Sequence, residues 1–343
     1  KETYFWIEFE ETGGTISGLT NSYTDMYHSF DGSTWETTPD TLSMGDKTLV
    51  YFRNDSKKIS IFQKQLILQF NSNAKVGGDI SSITDMAEYC CYQLFLKNKY
   101  LTDASELILP WDTLISGCYC NMFDGCTNLK KAPKFPATTL VYNCYREMFN
   151  GCTSLTTAPE LPATTLADYC YYAMFRGCTN LTTAPELSAT TLANWCCAYM
   201  FQGCTSLNYI KMLATDISAD NCLYRWVENV APTGTFVKSA SADIPVDSVD
   251  GIPIGWTVYN EGDPNIPEPE EPTDPDNPGG GGGEDPDNPT DPDNPNPPVD
   301  PDNPGGGGGE DPNPDLPDVP DTPTDPEEPL PPADSETEPT IVV

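Results

Sequence analysis

Histidine occurs once in this 343-residue chain, at His28. With one imidazole and no H-E-x-x-H segment, a histidine-based metalloenzyme centre has no ligand set. No G-x-S-x-G, P-loop or dinucleotide fingerprint appears either. Basic side chains are scarce, with 17 Lys and Arg against 52 Asp and Glu. No basic stripe exists to neutralise phosphates, which argues against a nucleic-acid partner. Lys130-Lys131 is the one notable basic pair within the repeats described below. No apolar run reaches the ~18 residues that a membrane-spanning helix needs. The chain starts at Lys1 without a signal-peptide core and reads as a processed or trimmed product, and Ile341-Val342-Val343 reads as a cut point.

What the chain has in quantity is unevenly spread. Residues 262–343 hold 24 of the 52 acids and 24 of the 34 prolines, with no Lys or Arg. Without them the formal net charge changes from −35 to −11. Almost no apolar side chains are present there, so no core can offset the entropy of ordering, and a disordered linker or stalk is expected. Asp274-Pro275-Asp276-Asn277-Pro278 with its pentaglycine recurs from Asp300. Prolines keep such a segment extended and its oxygens apart, so weak counter-ion binding is favoured over a defined calcium site.

The middle of the chain repeats every 26 residues. Met122-Phe123-Asp124-Gly125-Cys126-Thr127-Asn128-Leu129 returns from Met148, Met174 and Met200. A fixed period means a solenoid, in which each turn buries its apolar face on the next. The expected repeat core is Phe123, Phe149, Phe175 and Phe201, with Leu129, Leu155, Leu181 and Leu207. Two cysteine columns complete it: Cys126, Cys152, Cys178 and Cys204, and Cys144, Cys170 and Cys196, the second extended by Cys118 and Cys222. A degenerate first unit places Phe95 and Leu101 at the spacing of Phe123 and Leu129, and Trp226-Val227 ends the series. Asp168 to Phe175 reads as a short helix, N-capped by Asp168 and stopped at Gly177. Leu155 to Leu161 reads as a strand with Leu155, Ala158 and Leu161 inward, and Pro159 at its end.

Residues 1–85 read as a small all-β, β-sandwich-like domain capping the solenoid. Phe5, Ile7 and Phe9 alternate with Trp6, Glu8 and Glu10 as in a half-buried strand. Asp31-Gly32 predicts a tight type I′ hairpin. Leu49 to Phe52 and Leu66 to Phe70 predict two further strands, and Thr12-Gly13-Gly14 a turn. The solenoid is assigned to 86–228, with about five turns, a closing segment to 229–261 and the acidic tail to 262–343. The class is therefore mainly β with short helices.

The unit Met-Phe-x-Gly-Cys-Thr-[Ser/Asn]-Leu-x-x-Ala-Pro resembles the BspA-like leucine-rich repeat, over about 140 residues. With the preceding β region and Gly251 to Val258, the chain is similar to proteins of gut Bacteroidales and their phages. It differs in having Met before the Phe and in the insert Pro162 to Leu166. The resemblance implies a secreted or cell-surface protein, in some members an adhesin, and supplies no catalytic residues, cofactor or metal.

Stacked cysteines in register point the same way, which favours small apolar filler. Disulfide pairing stays open if the protein is exported. Zinc has little support without a CxxC pair. His28 reads as structural. The candidate contact residues are aromatics at positions that vary between units: Tyr169, Tyr172, Trp195 and Tyr199, and Tyr209 on the strand side. The default reading of them is that they cover the helix–turn edge and belong to the core. The Thr-rich strand face, Thr156-Thr157 and Thr182-Thr183, is the other candidate surface. The leading expectation is a non-enzymatic adhesin-like protein presenting the solenoid to a protein or glycan on a host or bacterial surface. A phage virion decoration or receptor-binding protein is the alternative, and a glycan-active enzyme using Glu8, Glu10 or Glu36 the third class. Ligand identity and oligomeric state are not legible.

Overall fold

A computed structural model describes residues 4–19, 26–55, 66–84, 87–246 and 250–269. The chain divides into two compact units after Gly281, and the described residues all fall in the first. The acidic segment beyond position 269, with its repeated Asp-Pro-Asp-Asn-Pro, lies outside them. The protein is mainly β with almost no helix, built around a β-solenoid of about seven turns rather than the five expected. The one helical element among the described residues is a 3-10 turn, Ile80–Ser82.

The expected helix over Asp168 to Phe175 is absent. Positive φ recurs at every fourth residue instead: Tyr169 (+59°), Ala173 (+50°) and Gly177 (+70°). The same triple is present at Asn143, Glu147 and Gly151 and at Gly117, Asn121 and Gly125. A left-handed residue breaks an α-helix, and at the third position of a β-turn it is what a type II turn requires. Amides therefore alternate. Cys144, Arg146, Met148, Asn150 and Cys152 donate three residues back, to Val141, Asn143, Tyr145, Glu147 and Phe149. Tyr145, Glu147, Phe149 and Gly151 donate to the next coil, to Cys170, Tyr172, Met174 and Arg176, at 2.7–3.1 Å. The wall is thus a ribbon of turns bonded sideways, and in this coil every amide from Asn143 to Cys152 is used.

The ribbon turns residues inward in pairs. Cys144-Tyr145, Met148-Phe149 and Cys152 are almost fully buried, and Arg146, Glu147 and Asn150 face out. Equivalent rings then meet across the coils. Phe95, Phe123, Phe149, Phe175 and Phe201 stack with centroids 5.3, 5.4, 5.6 and 5.8 Å apart, their planes within 10°. Trp226 continues the column at 6.1 Å. Tyr119, Tyr145 and Tyr171 form a second stack. The repeat-core leucines 129, 155, 181 and 207 are completely buried, as are the core cysteines.

The other wall of each coil depends on proline. The Leu155 to Leu161 strand does not form, although Leu155 and Leu161 are buried and Ala158 packs on the core. Pro159 and Pro162 bring no amide to a ladder. With one proline, Pro185, the next coil keeps two isolated parallel bridges, Thr183 to Tyr209 and Leu187 to Met212, on either side of it. Proline-free segments make full strands: β9 (Leu101–Ile108), β10 (Tyr209–Met212), β11 (Thr235–Lys238) and β12 (Thr257–Asn260). The last three form a parallel sheet in the order β10-β11-β12.

The N-terminal strands are β1 (Phe5–Phe9), β2 (Thr15–Ser17), β3 (Met26–Ser29), β4 (Glu36–Thr37), β5 (Thr41–Ser43), β6 (Leu49–Asn54), β7 (Gln69–Phe70) and β8 (Ala74–Asp79). They form a six-stranded sheet, β4-β3-β6-β1-β8-β9, and a three-stranded sheet, β5-β2-β7. β9 belongs to the first coil, so the sheet and solenoid share a strand. Three expectations need correction. Trp6 is buried, not outward, because Gly77 leaves room for its indole; a Cβ there would lie 2.2 Å from the ring. The β3–β4 hairpin exists, but its register of His28 on Glu36 encloses a loop longer than two residues. Gly32 has φ +73° and Asp31 does not share it, so type I′ fails; the Asp31 carboxylate instead accepts from the amides of Ser33 and Thr34. Of Leu66 to Phe70, only Gln69–Phe70 is strand.

A Cβ at Gly177 would sit 3.8 Å from Gly151 Cα, an ordinary contact, so the penalty for Gly177→Ala is backbone conformation alone. It should cost about 1–2 kcal/mol in urea unfolding, and Gly177→Asn less. A larger loss, equal for both, would place the cause in packing. His28 is buried against the edge of Phe30, and burial holds its pKa below the ordinary value, opposed by Glu36. The folded state favours neutral imidazole, so this contribution is complete above about pH 6.5 and is lost as pH falls through the lower folded value. Melting temperature should drop between pH 7.5 and 5, and His28→Gln should flatten that drop; a parallel drop in the variant would remove His28 as its cause.

Candidate functional site: the aromatic edge of the coil

Four of the five expected contact residues come together on the outer edge of the turn ribbon. Tyr169 and Trp195 occupy one repeat position in successive coils, and their rings stack at 6.0 Å with planes 2° apart. Tyr172 meets Tyr169 at 5.8 Å and Tyr199 edge-on at 5.5 Å. All four are half-buried. Tyr209 does not join them. It lies on β10 in the strand wall, beside Lys211, whose ammonium bridges Glu186 at 3.0 Å and Glu261 at 3.3 Å.

The band is longer than the sequence reading placed it. Tyr142 extends it at one end, 39% exposed and 5.8 Å from Tyr169. Tyr224 closes the other, 5.7 Å from Trp195 and 5.4 Å from Tyr199. Arg146 lies over Tyr172 at 4.7 Å and Arg176 over Tyr199 at 5.9 Å. Stepping Tyr172 along the repeat finds Tyr224 two units later and Arg146 one unit earlier, so the signal was in the register. Burial pushes the Tyr172 phenol up to about 12, against the opposing Arg146 guanidinium. The edge thus presents neutral rings backed by cations, suited to stacking on sugar rings or on apolar protein side chains.

Left-handed backbone runs through three of these residues, as it does through every coil. Tyr169, Trp195 and Tyr199 have φ of +59°, +56° and +56°. The Tyr169 position is filled elsewhere by Tyr89, Gly117, Asn143 and Asn221, and the Tyr199 position by Gln93, Asn121, Glu147, Ala173 and Arg225. Beside the rings runs a polar ladder. The Asn194 amide donates to the Asp168 carboxylate at 3.0 Å, and the Asp220 amide to the Asn194 side chain at 3.0 Å. Asp168 therefore serves the neighbouring coil, not a helix of its own.

The thirteen cysteines are free and buried. The Cys126, Cys152, Cys178 and Cys204 thiols donate to the Phe95, Phe123, Phe149 and Phe175 carbonyls at 3.0–3.2 Å, so this column ties coils together as well as filling space. Burial pushes the Cys144 and Cys204 thiols up to about 12. Among the described residues, no group of three or more His, Cys, Asp and Glu is placed to hold a metal ion. Nor does any described helix have the length and apolarity to cross a membrane. Glu10 lines a cleft at the sheet–solenoid junction, whereas Glu36 pairs with His28 across β3 and β4.

No protein-family model, curated protein or solved structure matches this chain.

Cys152 and Cys178 should resist iodoacetamide at pH 8 in the folded protein and label fully in denaturant, read by mass spectrometry. Rapid labelling of either in the native state would mean that the coils open.

Proposed function

We propose that this chain is a non-enzymatic, surface-displayed binding protein, adhesin-like, whose coil edge contacts a protein or glycan on a host or bacterial surface. In this reading the 26-residue unit is a BspA-like leucine-rich repeat. Residues 1–85 cap one end of the array, 229–261 close the other, and 262–343 form an acidic stalk. The pairing of β8 with β9 supports the cap, because it occupies a coil edge that would otherwise expose unpaired backbone.

One observation carries the proposal. Tyr169 and Trp195 stand in successive coils at a left-handed backbone position that Gly117, Asn143 and Asn221 fill in three others. Each such position raises the energy of an ordinary residue by about 1–2 kcal/mol. Ring stacking, worth about 0.5–1.5 kcal/mol per pair, offsets that across the contacts each ring makes. On stability alone Asn and the stacked aromatic come out about level at 169 and 195. A contact role accounts for Tyr169 and Trp195, since rigid half-exposed rings are what binding surfaces concentrate.

Tyr169→Asn and Trp195→Asn test this. Both should keep unfolding stability within about 1 kcal/mol of the parent, the strain relief offsetting the lost stacking. Retention on a panel of immobilised matrix proteins and surface glycans should fall at least tenfold. Undiminished retention in both variants, or none by the parent on any panel member, would refute the proposal.

A further inference from the structure

A polar cleft of about 450 Å³ opens where the six-stranded sheet meets the first coils. That size lies within the roughly 300–1,000 Å³ of small-ligand sites. Its walls are Glu10, Asn73, Lys75, Thr102, Asp103, Asn128, Lys130, Lys131 and Ser154, and no aromatic or aliphatic side chain is among them. An apolar ligand or a base needing a stacking partner finds nothing here to hold it.

Two departures from regularity bring the lysines in. Lys130-Lys131 stand where the next units carry Thr156-Thr157 and Thr182-Thr183, so this unit alone carries paired cations at that position. Lys75 arrives through the sheet. The β8–β9 register shifts on both sides of it, between Ala74 and Lys75 and between Lys75 and Gly77. Such bulges re-aim side chains next to functional sites. Lys75 is exposed, and its side chain makes no hydrogen bond or ion pair among the described residues. The carboxylates are partly engaged: Glu10 accepts from Asn73 Nδ2 at 3.2 Å and from Thr102 Oγ1 at 3.4 Å, and Asp103 lies 3.9 Å from Lys131 Nζ.

We infer that this cleft binds an acidic saccharide, its ammonium groups taking a carboxylate or sulfate and its amides, hydroxyls and carboxylates taking ring hydroxyls. Three cations against two carboxylates make the cleft locally positive in a chain whose charge is otherwise strongly negative. A bare inorganic anion would use the lysines and leave Glu10, Asn73, Asn128 and Ser154 without a role. A polyhydroxylated ring carrying an acid uses both sets. The inference rests on reading the chain as a binding protein and names a second site, separate from the aromatic edge.

Titration calorimetry on the full chain would use four probes: a glucuronate-terminated disaccharide, a sulfated galactose disaccharide, neutral lactose and inorganic sulfate. At least one acidic disaccharide should bind at least tenfold more tightly than lactose and than sulfate, and more weakly as salt rises. Which acid binds identifies the anionic group. Lys75→Gln and Lys131→Gln should each weaken that binding at least tenfold with unchanged melting temperature, and Trp195→Asn should leave it unchanged. Equal affinity for lactose or sulfate, no binding of either acid, or an unaltered Lys75→Gln affinity would overturn the inference. Those failures leave retention through the aromatic edge untouched, whereas loss of retention in Trp195→Asn bears only on the proposed function.

Discussion

The division of amides in the turn ribbon, half bonded within a coil and half to the next, is the constraint on which the rest of the solenoid depends. It follows from positive φ at every fourth residue. An α-helical wall would satisfy all its amides internally and leave only side chains to join coils. A strand wall would bond sideways at alternate residues in both directions. The ribbon does both, so each coil is braced internally and tied to its neighbour by hydrogen bonds of 2.6–3.3 Å. Because the ties fix the axial repeat, equivalent rings must face one another. The near-parallel phenylalanine column is a consequence of backbone register rather than an independent preference. The Gly-Cys column follows too, its thiols reaching carbonyls one coil back.

Proline distributes order along the second wall. Segments with two prolines lack a ladder, the segment with Pro185 keeps two bridges, and proline-free segments form strands. Regular sheet therefore concentrates at β9 and at β10 to β12, the two ends of the array. The middle coils rely on the ribbon and the stacked core. That arrangement limits exposed strand edge where coils are most alike and register slips would be easiest. It also leaves the middle of the strand wall without a continuous pleated face, so the Thr-rich surface is less uniform than a sheet would be.

The period, the inward columns and the left-handed glycine were legible because each leaves its mark at a fixed spacing. The ribbon was not, since Cys170, Met174 and Phe175 at i, i+4 and i+5 fit a helix and a four-residue turn repeat equally over so short a stretch. The distinguishing signal was available: Gly117, Asn121 and Gly125 recur every fourth residue, and such residues favour φ above zero. Trp6 was misread because the space for it is made by Gly77, a long-range partner. The cleft was half visible. Lys130-Lys131 stand out against the threonines of later units, but Lys75 reaches them only through a bulged pairing that no local pattern encodes.

Both candidate surfaces obey one rule. The columns that hold the coils together, Met, Phe, Cys and Leu, are filled identically in four successive units, so they are free to do nothing else. Outward positions carry no such duty, and there the units differ. At the Tyr169 position the residue changes among Gly, Asn, Tyr and Trp at one backbone geometry, from the cheapest occupants of left-handed space to among the most expensive. At the Lys130-Lys131 position it changes from neutral hydroxyls to paired cations, Lys131 lying 3.9 Å from the Asp103 carboxylate. Each change lies where the neighbouring coil or sheet already supplies rings or polar groups to complete a surface. A departure from the usual residue of the unit at an outward position, next to complementary groups from another element, is the physical mark that separates these two places from the remainder of the coil exterior.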